Sequence, residues 1–97
     1  VMAWNKLACV ERMAEIAAAL GVQTHGLSDK VAADLAVEAM AELCASVDIP
    51  KGMRSFGVPQ DAIPAMAEEA SKIDRLMRNN PRRLTAGDIE QIYRAAY

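Results

Sequence analysis

The sequence is short of almost everything that a sheet, a metal centre or a membrane span requires. Its 97 residues include one Trp, one Phe and two Tyr, too few of the aromatic residues that strands favour. One histidine, His25, sits in a loop after Gly21, where a solvated polar role is expected. No HExxH, paired-His or Cys/His cluster is present, so no ordinary transition-metal site can be assembled from this chain. No GxGxxG or Walker loop is present, so no dinucleotide cradle is expected either. Cys9 and Cys44 are far apart and form no CxxC, and they are expected to be buried, reduced thiols, with a disulfide or a reactive thiol as the other reading. No run approaches the roughly 18 apolar residues of a membrane span. No basic start leads into an apolar stretch and a small-residue cleavage site, so no secretory signal is read, and reduced thiols lead to the expectation of a cytoplasmic protein. The formal net charge of -2 lacks the basic excess that nucleic-acid binding needs.

What is present is alanine. It is the commonest residue, within a hydrophobic fraction of 53%. Ala loses no side-chain entropy in a helix, so an alanine-rich, aromatic-poor chain favours closely packed helices. The periodicity predicts an all-α chain, a small bundle of about four helices forming one domain over residues 1–97. The first helix runs from about Asn5 to Leu20, with Leu7, Val10, Ala14, Ala17 and Leu20 as its stripe and Gly21 just beyond its end. The second follows Ser28, a good N-cap, and reaches about Ser46. Its polar residues Lys30, Asp34, Glu38 and Glu42 form one narrow stripe. The rest of its surface is apolar, which predicts a central helix with neighbours on two or three faces.

Pro50, Gly57 and Pro59 punctuate an irregular stretch. The third helix is expected from about Asp61, acting as N-cap, to Met77, with Pro64 tolerated in the first turn. Its stripe is Ile63, Met66, Ala67, Ala70, Ile73 and Met77. The fourth starts after Thr85, which forms a capping-box pattern with Asp88 and precedes a buried face of Ile89, Ile92, Tyr93 and Ala96. The methionines read as core filler.

The most distinctive polar run is Arg75-Leu76-Met77-Arg78-Asn79-Asn80-Pro81-Arg82-Arg83. Its guanidinium groups could contact an anion or phosphate. The favoured reading is a solvated helix end, where Arg complements the negative end of the dipole. Physical patterning alone stops at a small helical bundle.

The order of short motifs goes further. Val58-Pro59-Gln60-Asp61-Ala62-Ile63-Pro64-Ala65-Met66-Ala67 leads into a helix. Asn80-Pro81-Arg82, Thr85, Asp88-Ile89 and Ile92-Tyr93-Arg94-Ala95-Ala96 follow. This resembles the end of the iron-containing (group III) alcohol dehydrogenases, in which a "DIPALA" helix leads to an "NPR" turn and a closing "T-x-x-DI-x-x-IY-x-A" helix. Val1-Met2-Ala3-Trp4-Asn5 is similar to the family's "VM-x-FN" segment, and Lys6-Leu7-Ala8 continues it. The resemblance covers essentially the whole chain.

The resemblance implies part of the helical C-terminal, metal-binding domain of a dehydroquinate synthase-like fold. The parent would be an NAD(P)-dependent oxidoreductase interconverting alcohols with aldehydes or ketones, using Fe²⁺ or another divalent metal. The family's ligands, one Asp and three His, lie upstream of the segment matching Val1. No metal, cofactor or catalytic residue therefore carries over to this chain, and His25 matches none of them. The loop before the NPR turn implies Leu76 and Met77 as substrate-cleft wall, with plain helix-end packing as the other reading, while Asn80 and Arg82 fix the turn.

A first residue that is Val, inside a motif, fits a fragment, expected to be inactive alone and partnered by the remainder of the parent. Self-association through uncovered apolar surface is also expected. The other reading is a free-standing helical interaction module.

Overall fold

The computed structural model describes all of residues 1–97 and contains helices and loops but no strand. Six α-helices follow in order: α1 Met2–Asn5, α2 Val10–Ala19, α3 Asp29–Ser46, α4 Ile63–Ser71, α5 Asp74–Met77 and α6 Ala86–Ala95. Short 3₁₀ turns occupy Lys6–Ala8, Met53–Phe56 and Gln60–Ala62. The four helices of nine or more residues, α2, α3, α4 and α6, are the four that the apolar periodicity marks. Contacts divide the chain into two compact units, Val1–Ile49 and Pro50–Tyr97.

In the first unit α2 packs on α3 through Met13, Ala17, Ala32, Ala33 and Ala36. Four of these five are alanines, so the helix backbones can approach closely while a single long side chain fills the seam. Val10, Ile16, Val22 and Val37 border the cluster. The end of α2 is a Schellman motif: Gly21 takes φ +88°, its N–H donates to the Ala18 carbonyl, and Val22 N–H donates to Ala17. Both bonds satisfy carbonyls that the last turn would leave open. Ser28 caps α3 by accepting from the Val31 N–H at 3.3 Å. The other end of α3 repeats the motif with Asp48 at φ 57°, the only non-glycine residue at positive φ.

Three expectations for this unit are corrected. The first helix does not run unbroken from Asn5. Its backbone tightens to 3₁₀ geometry and breaks at Cys9, with φ -148° and ψ 50°, before α2 begins. The tighter winding turns Leu7 out of the stripe, leaving it 70% exposed. A side-chain period reports which residues share a face, but a single-residue break between two turns leaves it almost unchanged. Secondly, α3 is not enclosed. Only Ala32, Ala33 and Ala36 are buried, and Val31 and Leu43 are each 46% exposed. Thirdly, Cys9 and Cys44 are free thiols but only half-buried. Lys6 and Asp34 pair across from the turn to α3, joining the entry segment to the helix hairpin.

In the second unit α4 packs on α6, burying Ile63, Ala67, Ile89 and Ile92. Asp61 is not the N-cap of α4. It lies inside the 3₁₀ turn, the cap position is Ala62, and Pro64 stands in the first turn, where its missing N–H costs nothing. The expected single helix to Met77 is two helices. Asp74 N–H donates to the Lys72 carbonyl across Ile73, at φ -83° and ψ 78°. That is an inverse γ-turn, which ends α4 and redirects α5. The residues at 50–57 fold back on the last turn of α6: Met53 N–H donates to the Ala96 carbonyl at 2.9 Å.

Candidate functional site

The segment from Ile73 to Arg83 gathers the residues singled out by sequence. The turn at Ile73 starts α5, a single helical turn, and sets Leu76 and Met77 on it. Leu76 is 51% exposed, whereas Met77 is half-buried. Side-chain amides hold the chain that follows. Asn79 Nδ2 donates to the Arg75 carbonyl at 2.8 Å, closing the open end of α5. Asn80 Nδ2 donates to the Arg82 carbonyl at 2.7 Å and so spans Pro81. Pro81 cannot donate a backbone hydrogen bond, and the Asn80 amide supplies one across the turn.

A cleft of about 210 Å³ opens beside this turn, lined by Asp74, Met77, Arg78 and Arg83. Met77 reaches it; Leu76, Asn80 and Arg82 are not among its lining residues. Arg78 and Arg83 are exposed, as a solvated helix end requires, and their place on the cleft was not read from the sequence. The signal available was the density of that run, with four arginines in residues 75–83. The four ion pairs in the structure are Lys6–Asp34, Lys72–Glu68, Lys72–Glu69 and Arg94–Glu90, so Arg78 and Arg83 have no carboxylate partner.

The turn leads straight into α6, whose start is fixed by a complete capping box. Asp88 N–H donates to Thr85 Oγ1 at 3.2 Å, and Thr85 N–H donates to Asp88 Oδ2 at 2.8 Å. The bonds that Thr85 N–H and Thr85 Oγ1 donate to Asp88 Oδ2 favour the ionised carboxylate. The Thr85 backbone bond, then the Thr85 hydroxyl, hold Asp88 below the usual carboxylate range, and Arg82 adds a weaker pull. On α4, the Glu69 carboxylate raises Lys72 by hydrogen bonding and charge.

The side chains do not suit a bound metal. No three of His, Cys, Asp or Glu come together in a way that could hold one, and His25 is exposed in its loop. A second cleft, of about 490 Å³, lies between the ends of α2 and α3. Leu20, Val22, Ala39 and Leu43 line it with Glu42 and Ser46, a wall of mostly apolar groups without a nucleophile–base pair. No helix is long and apolar enough to cross a membrane.

Helix hairpins and an amide-braced turn are what the structure sets beside these clefts. The family model described as "Fe-containing alcohol dehydrogenase family, C-terminal" matches residues 1–97. The chain belongs to that family. It is 40% identical to 1,3-propanediol dehydrogenase of Citrobacter freundii over 97 residues, which is all of this chain and 25% of the relative. It is 38% identical over 96 residues to NAD-dependent methanol dehydrogenase of Bacillus methanolicus, or 99% of this chain and 25% of that enzyme. Among solved structures, a 1,3-propanediol oxidoreductase superposes with a TM-score of 0.94 at 36% identity, covering 100% of this chain and 25% of the other. The chain thus spans about a quarter of the length of the curated relatives it matches.

Proposed function

We propose that this chain is the closing helical part of an NAD(P)-dependent oxidoreductase that interconverts alcohols with aldehydes or ketones. The observation that carries the reading is the match of the whole chain, in both sequence and fold, to that family's C-terminal region. The relatives' names support alcohol substrates and, for the methanol enzyme, NAD. Iron or another divalent metal, and the nicotinamide, would be held by residues outside this chain, since its own donors do not converge. The contribution of these residues is then positioning and exclusion of water. Leu76 and Met77 present apolar surface as a substrate-cleft wall, and Asn80 and Arg82 fix the turn that sets their direction. Residues 1–97 act as one helical domain in this reading, supported by a family model that matches all of them.

The remainder of the enzyme is the principal partner. Val31, Leu43 and the cleft at the ends of α2 and α3 would be covered by it. The same surface would make the isolated chain self-associate, because apolar patches beyond a few hundred Å² seek a partner. Sedimentation of the isolated chain should therefore give dimers or larger species, and a strict monomer at high concentration would remove this part of the proposal. The two unpaired thiols suit a reducing, cytoplasmic compartment. The direct test is NAD(P)⁺ reduction by the full-length protein, loaded with Fe²⁺ or Zn²⁺, across small primary alcohols and diols. Turnover supports the proposal, and none with any alcohol, metal or nicotinamide refutes it.

A further inference from the structure

We draw no further inference here: the strongest candidate, the largely apolar cleft of about 490 Å³ at the ends of α2 and α3 lined by Leu20, Val22, Ala39 and Leu43, carries nothing beyond the remainder of the enzyme already proposed, because nothing in the structure shows what covers it.

Discussion

Thr85 carries more of the fold than its exposed position suggests. It caps the helix that holds Ile89 and Ile92, and its backbone and hydroxyl are both engaged by Asp88. Thr85→Ala is expected to destabilise the chain by roughly 1 kcal/mol, the common value for a lost N-cap. Urea unfolding checks it, and an unchanged midpoint would mean that the box contributes nothing. The same bonds make the cap sensitive to acid. Asp88 is lowered in the folded chain, so its contribution is fully present above the unfolded carboxyl value, about 4, and is lost as pH falls through the folded one. The stability gap between wild type and Thr85→Ala should accordingly narrow on acidification from about pH 6 to pH 3. Gly52 is the other sensitive position. At φ +76° and ψ 152° it occupies a region open essentially to glycine alone, and a Cβ there would stand 2.6 Å from the Tyr97 carbonyl oxygen. Gly52→Ala should cost about 2 kcal/mol or more. A wild-type unfolding curve for that variant would show the 50–57 segment to be free of the last turn of α6.

The helices that pack were legible because packing leaves a period in the sequence. The stripes of α2, α4 and α6 each name residues that are buried, such as Ala17, Ala67 and Ile89. The caps at Ser28, Gly21 and Thr85 were legible because each has a residue type with a specific hydrogen-bonding or conformational task. Breaks within a stripe were not. Cys9 and Ile73 interrupt helices through backbone dihedrals that neither residue type advertises. The γ-turn at Ile73 matters most, because it separates α5 from α4 and makes Leu76 and Met77 part of a short element with its own direction. For the candidate site, motif order pointed to Leu76, Met77, Asn80 and Arg82, whereas the cleft beside Met77 required the fold. Leu76 gives a direct check of the wall assignment. In the full-length enzyme Leu76→Trp should raise KM for longer alcohols relative to ethanol by roughly tenfold, and Leu76→Ala should shift the preference the other way. Identical chain-length profiles for both variants would return Leu76 to plain helix-end packing.

The chain as a whole has the helical architecture of its family's C-terminal region without a convergent set of metal donors. Its hairpin of α2 and α3 leaves Val31 and Leu43 each 46% exposed, and the proposed remainder of the enzyme would cover them. A free-standing interaction module would use that surface for a different partner, and would need neither metal nor nicotinamide. The proposed oxidoreductase would divide its labour: these residues would shape the cleft, and others would perform the chemistry. The decisive measurement titrates Fe²⁺ and Zn²⁺ calorimetrically into residues 1–97, shown by circular dichroism to be helical, and into the full-length enzyme, with NAD(P)⁺ reduction followed in both. One tightly held metal and turnover in the full-length enzyme, with neither in residues 1–97, is the result expected. Stoichiometric metal binding or alcohol oxidation by residues 1–97 alone would contradict it.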